Sequence, residues 1–193
     1  MIEFLDSLDK ELFLFLNGFH FSFMDQVMFR LTNQITWIPF FLFIIFILIK
    51  YYKWETLWIL LSVVILITLS DQLVSGFMKP FFERLRPSHS PDLTAIVHTV
   101  NGYKGGLYGF ASSHAANSFG LAMFLWRVTR DNIKWIWIMF VWALLFSYTR
   151  IYLGVHYPGD IISGGLLGAG FGYLTALLYA VLRHNRLRKH ISI

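Results

Sequence analysis

Between Leu31 and Ile49 the chain runs nineteen residues without a formal charge, and between Ile161 and Leu182 it runs twenty-two. A hydrocarbon core about 30 Å thick takes roughly 20 apolar residues of helix to cross. Inside it only helices and closed barrels satisfy every backbone polar group, and these runs are too long for barrel strands. Three further candidates follow the same pattern: Thr56 to Met78, interrupted only by Asp71, then about Ser113 to Arg130, then about Ile133 to Tyr148. Pro39 lies early enough in the first run to kink it without preventing insertion. Asp71 is expected to face the bundle and hydrogen-bond another helix. The fold class is therefore all-α, a polytopic transmembrane helix bundle of about five spans plus an N-terminal interfacial helical segment. Composition agrees, with 56% hydrophobic residues, 14% charged residues and a mean hydropathy of +0.58.

The interfacial segment is residues 1–30. Leu5, Leu8, Leu12, Phe15 and Leu16 share one helical face, while Glu3, Asp6, Asp9, Lys10 and Glu11 occupy the rest. Each ionised group near the centre of a span costs about 2.5 to 3.5 kcal/mol. A helix lying in the interface and stopping near Asn17-Gly18 is the cheaper arrangement. Ser22 and Asp25 have the spacing of a capping box for a second short helix. An anchor or packing collar is the plainest role for this region.

The net charge of +5 would suggest nucleic acid as a partner of a soluble protein, but here the basic residues report topology first. Lys50, Lys53, Arg127, Arg130, Lys134, Arg183, Arg186, Arg188 and Lys189 share one side if five spans alternate, and that side is cytoplasmic by the positive-inside rule. The other side receives the 79–111 loop and the stretch from Arg150 to Asp160. The chain has no cysteine, which removes disulfides, thiolate nucleophiles and cysteine metal sites.

Three polar clusters converge on that second face. The first is Lys79 with Arg84 and Arg86-Pro87; the second is Ala111-Ser112-Ser113-His114, at the start of a span; the third is Arg150, His156 and Asp160. The third has a plain alternative, in which Arg150 snorkels, Asp160 caps the next helix and His156 is a bystander. Together they supply cations, a helix N-terminus capped by Ser112, and two histidines, which is what a phosphate group requires. A neutral imidazole can attack phosphorus while a protonated one donates to the departing oxygen. Asp160, four residues beyond His156, reaches it if helix begins at Pro158. This makes His156 the nucleophile, Asp160 its orienting carboxylate and His114 the acid. A two-histidine zinc site is weaker, since the surrounding cations repel a metal ion.

In order and spacing, K-P-F-F-E-R-L-R-P, A-S-S-H and T-R-I-Y-L-G-V-H-Y-P-G-D resemble the three linked motifs of the type-2 phosphatidic acid phosphatases, or lipid phosphate phosphatases, which share a core with vanadium haloperoxidases. The resemblance covers roughly residues 79 to 160. It implies that Lys79, Arg86 and Arg150 hold phosphate oxygens, with Ser112, Ser113 and the backbone amides beside them assisting. His156 would be transiently phosphorylated, and neither metal nor cofactor would be needed. Ala111 stands where the family has proline, Ser113 where it has glycine and Thr149 where it has serine. The family usually has six spans.

The expected organisation is a single membrane phosphatase domain, 1–193, with interfacial helices over 1–30, a bundle over 31–183 carrying an active-site loop at 79–111, and a basic cytoplasmic tail at 184–193. The expected partners are a lipid phosphate and the bilayer of a bacterial inner membrane, with the site on the periplasmic or extracellular face and no nucleic acid. Undecaprenyl diphosphate is the preferred substrate, with lipid A phosphate or phosphatidylglycerophosphate as alternatives. An anion or phospholipid transporter is the alternative of another class. Gly164, Gly168 and Gly172 recur at every fourth position and predict close helix packing, in the core or across a homodimer. The topology is checked by an impermeant label on a tagged 79–111 loop: it is expected to react in intact cells, and reaction only in opened cells would invert the assignment.

Overall fold

The small residues of one helix set the plan of the molecule. In the computed structural model, which describes the backbone of residues 2–191 and the side chains of residues 3–186, helix α6 (Ser113–Thr129) is the central element. It packs against α8 (Pro158–Ile191), α7 (Ile138–Tyr152) and α4 (Glu55–Asp71). Gly164, Gly168 and Gly172 of α8 lie against the backbone carbonyls of Ser112, Ala116 and Gly120, too close for a Cβ. The glycine face is thus occupied within the chain by α6, which corrects the expectation that it could serve as a homodimer seam. Below it, Phe124, Met139, Trp142, Ala143 and Tyr179 close the apolar core with Ile59 and Leu66 of α4.

Among the described residues, four helical stretches are long and apolar enough to cross a membrane: Gln34–Tyr52, Glu55–Phe82, Lys134–Tyr152 and Pro158–Arg186. With α6 as the enclosed fifth member, the chain is an all-α multi-pass bundle. Pro39 does not kink α3 (Ile38–Tyr52). It lies in the first turn, where its missing N–H is among those a helix leaves unpaired anyway. The second span does not end at Met78. It passes through a π-helical turn, Gln72–Met78, into the short α5 (Lys79–Phe82), carrying Lys79 on a continuous helix into the polar region.

The N-terminal segment forms α1 (Ile2–Asn17) and α2 (Ser22–Leu31). The capping box is not made: Ser22 lies inside the helix, and Asp25 accepts instead from Tyr152 Oη at 2.7 Å and pairs with His98 at 2.8 Å. His98 also stacks on His20. Helix α1 is turned so that Phe4, Leu5, Leu8, Leu12 and Phe15 stay exposed while Asp9, Phe13 and Asn17 face the bundle. An outward apolar stripe suits a helix bathed in lipid at the interface. Buried Asn17 fixes its end, donating to the carbonyls of His98, Ile151 and Tyr152 and accepting from His98 N–H. Of the basic tail expected at 184–193, the side chains of 187–193, including Arg188, Lys189 and His190, lie outside the described residues.

A side chain at position 168 must push α8 off α6. Gly168→Val is expected to lower stability by roughly 3 kcal/mol, a fall of about 6 to 12 °C in Tm for a chain of this size. Gly170→Ala, in the same helix but with open space around it, should leave Tm unchanged or raised. The check is thermal unfolding of both variants in detergent.

Candidate active site

The site lies where two helices begin. Ser112 is the N-cap of α6, and its backbone N–H donates to the carbonyl oxygen of Asp160, in the first turn of α8, at 3.0 Å. That bond joins the turn carrying Ser113 and His114 to the turn carrying His156 and Asp160. Pro158 begins α8 as its spacing predicts, and one turn of helix brings the Asp160 carboxylate back to His156. Asp160 Oδ2 accepts from His156 Nδ1 at 3.2 Å and from Tyr157 N–H at 3.0 Å. Both side chains are buried, at 1% and 0% exposure, so the pair that orients His156 is shielded from bulk solvent.

His156 lies between spans α7 and α8. Burial and then the charges of Arg86, Arg150 and Lys79 push its imidazole well below the usual histidine range. It is therefore neutral, and with Nδ1–H donated to Asp160 the free lone pair is on Nε2.

Three cations converge on a cavity of about 300 Å³ whose walls include His114, Asp71, Asn117 and His156. Lys79 Nζ donates to Ser113 Oγ at 2.6 Å and Ser75 Oγ at 3.3 Å, and the two hydroxyls lie 2.8 Å apart. Arg86 is buried, with Nε donating to the Tyr108 carbonyl at 3.0 Å and Nη1 without a partner. A loop glycine makes room for it: Gly105 has a φ of +68°, and a Cβ there would collide with the guanidinium. Burial and the nearby charge of Arg150 lower the pKa of Arg86 from its ordinary value. Arg150 donates through Nη1 to Thr32 Oγ1 at 2.7 Å and through Nη2 to Tyr103 Oη at 3.0 Å, leaving buried Nε free. His114 stacks on Phe146 at 5.1 Å and opens also onto an outer vestibule with Thr32, Asn33, Gln34 and Tyr103.

Of the residues expected at the site, Lys79, Arg86, Ser113, His114, Arg150 and His156 line this one cavity. Asp160 stands behind His156. Ser112 departs from expectation: it is fully buried, does not line the cavity, and its hydroxyl accepts from Ala115 N–H at 3.4 Å as a helix cap. Sequence reasoning missed Ser75, Thr32 and Tyr103, which have no motif spacing and reach the site from a π turn, a helix end and a loop. Asp71 bonds within its own helix, accepting from Ser75 Oγ at 3.1 Å, rather than to another helix as expected. Among the described residues no cluster of metal-ligating side chains occurs. Chemically, the arrangement offers a fixed neutral nucleophile, a second imidazole and three positive charges around one small volume.

The family profile of the PAP2 superfamily matches residues 56–184. The lipid A 4'-phosphatase of Bacteroides thetaiotaomicron is 45% identical over 175 residues, covering 89% of this chain and 76% of that protein. The lipid A 4'-phosphatase of Porphyromonas gingivalis is 37% identical over 187 residues, covering 96% and 79%. Among solved structures, that of Aquifex aeolicus LpxE superposes with a TM-score of 0.62 at 24% identity, over 87% of this chain and 94% of that one, which speaks to the fold. A family match over more than half the chain, together with relatives aligned along nearly all of it, establishes that this protein belongs to the PAP2 superfamily of membrane phosphatases.

Proposed function

We propose that this PAP2 phosphatase hydrolyses a phosphate monoester of lipid A at the periplasmic face of a bacterial inner membrane, through a phosphohistidine on His156. The geometry that carries the reading is the buried His156–Asp160 pair set against three cations in one cavity. Lipid A takes the place of the undecaprenyl diphosphate preferred from the sequence, because the relatives aligned along most of the chain are lipid A 4'-phosphatases. The vestibule beside the cavity, where Thr32, Asn33, Gln34 and Tyr103 stand with Phe29 and Ile35, offers both hydrogen-bonding groups and apolar surface to a sugar headgroup. The transporter alternative gives way to the phosphatase family itself.

In the first step His156 Nε2 attacks phosphorus and a P–N bond forms as the bond to the lipid oxygen breaks. His114, protonated once the negative charge of the bound phosphate offsets the three cations around it, gives its proton to that oxygen, and the lipid leaves as an alcohol. Asp160 stabilises the positive charge that develops on the imidazole. In the second step the now neutral His114 takes a proton from water, the oxygen attacks phosphorus, the P–N bond breaks, and His156 returns neutral as phosphate departs. Lys79, Arg86 and Arg150 neutralise the non-bridging oxygens throughout, as preorganised charges that need no rearrangement when the transition state forms.

Phosphate release from purified lipid A, undecaprenyl diphosphate and phosphatidylglycerophosphate in detergent tests the reading. Lipid A is expected to turn over fastest. His156→Ala and His114→Ala should each lose several powers of ten, as groups acting together do, and a chelator should change nothing. Retained turnover in His156→Ala, or dependence on a divalent ion, would overturn the mechanism; preference for another lipid would overturn the substrate.

Orthovanadate, a phosphate mimic, should raise Tm by linkage, since it binds only the folded cavity. Arg86→Gln and Arg150→Gln should each reduce that rise, and a wild-type rise in both would count against these side chains as phosphate ligands.

A further inference from the structure

The carboxylate behind the nucleophile has a second oxygen, and it is not idle. Asp160 Oδ1 accepts from Arg84 Nη1 at 2.8 Å. The same guanidinium extends Nη2 to α1, where it meets Asp9 Oδ2 at 2.8 Å and Asp6 Oδ1 at 3.0 Å. Asp9 then closes a loop, its Oδ1 accepting at 2.7 Å from the N–H of Gly159, the residue before Asp160. This approach requires a glycine, because a Cβ at position 159 would lie 2.6 Å from Asp9 Oδ2. The Arg84 guanidinium also sits 4.2 Å above the ring of Tyr157, the residue after the nucleophile. Lys10 pairs with Asp6 at 3.0 Å and holds it from the outside.

We infer that Arg84 and Asp9 are positioning residues for the nucleophile: α1 braces Arg84, Arg84 fixes Asp160 as an ionised carboxylate in a set rotamer, and Asp160 fixes His156. Two other readings of these residues are weaker on the geometry. Arg84 is not an additional phosphate clamp, because it is absent from the walls of the cavity and both its terminal nitrogens are engaged by carboxylates. Nor is α1 only a collar, since a collar needs its apolar contacts and would not direct two carboxylates at one arginine. Burial opposes the charge of Arg84, but the carboxylates of Asp160, Asp9 and Asp6 more than offset it and raise its pKa above the ordinary arginine value. With Arg84 gone, the fully buried Asp160 keeps only neutral donors, His156 Nδ1–H and Tyr157 N–H. A carboxylate buried without a cation is costly and is relieved by taking up a proton or swinging away. Either outcome releases the imidazole.

The proposal rests on the phosphohistidine reading, and two measurements keep the two separable. The first compares kcat and KM of purified wild type, Arg84→Gln, Arg84→Lys and Asp9→Asn on whichever lipid of the panel the wild type hydrolyses fastest, each rate normalised to folded protein. Arg84→Gln and Asp9→Asn should lose roughly 10- to 100-fold in kcat, the range for removing a partner that orients a catalytic group, with KM within about twofold because neither touches phosphate. Arg84→Lys should recover most of the loss. Wild-type kcat per folded molecule in Arg84→Gln overturns the proposal while leaving the phosphatase reading intact. The second needs no turnover: in protein labelled with 15N-histidine, the low-field Nδ1 proton of His156, assigned by its loss in His156→Ala, should move upfield in both Arg84→Gln and Asp9→Asn. An unmoved resonance overturns the proposal even if no lipid is hydrolysed, an outcome that would itself sink the phosphatase reading.

Discussion

A single backbone hydrogen bond, Ser112 N–H to the Asp160 carbonyl at 3.0 Å, marks the place on which the site depends. Two helix N-termini meet there, and they meet because glycines let α8 lie on the backbone of α6. Without a hydrophobic driving force between helices in lipid, close backbone approach is the main means of holding them. The packing that stabilises the bundle is thus the same packing that sets His114 against His156. His114 is held in the first turn of α6, and His156 in the short turn that leads into α8, the helix packed most closely on α6.

The long 79–111 loop is organised by what it must shelter. Arg86 enters a bed of backbone, donating to the Tyr108 carbonyl while its own N–H donates to the Leu107 carbonyl, and Gly105 leaves space for the guanidinium and Gly109 for the aliphatic stem. Ser88 Oγ donates to the Lys104 carbonyl and Ser88 N–H to the Gly154 carbonyl, so the loop is tied to itself and to the turn before His156. The backbone groups of a buried loop must be satisfied somewhere. Here the two carbonyls that bond to Ser88 tie the segment carrying Arg86 to the rest of the loop and to the turn that precedes His156.

Much of this was legible in the sequence, and the reasons differ by feature. Spans announce themselves by length without charge, and the three motifs by spacing. Lys79, Arg86, His114, Arg150, His156 and Asp160 could be named because each sits at a fixed interval from a neighbour with the same task. Ser75 and Thr32 could not, because one reaches the cavity from a π turn and the other reaches Arg150 from a helix end, and hydropathy marks neither. The face of α1 was legible as a stripe but not in direction. In water an apolar stripe turns inward; at a lipid boundary it can turn outward and leave the acids for the protein, as Asp6 and Asp9 show. Ser112 was read correctly as a cap, and the cap consumed the hydroxyl that was also expected on phosphate.

Arg84 and Arg86 stand two residues apart in one short sequence, and nothing in their identity separates their fates. The structure does so by what accepts their hydrogen bonds. Arg84 is surrounded by carboxylates, so its charge is spent inside the protein on keeping Asp160 ionised. Arg86, Arg150 and Lys79 are held by carbonyls and hydroxyls, and among the described residues none of the three takes part in an ion pair. Neutral acceptors fix the direction of a cation without cancelling it. The result is a cavity whose three cations face a single carboxylate, Asp71, and this excess of positive charge is costly in an empty site and favourable once an anion with several oxygens enters. The division between arginines that build the site and arginines that serve it is therefore a division between charged and neutral acceptors.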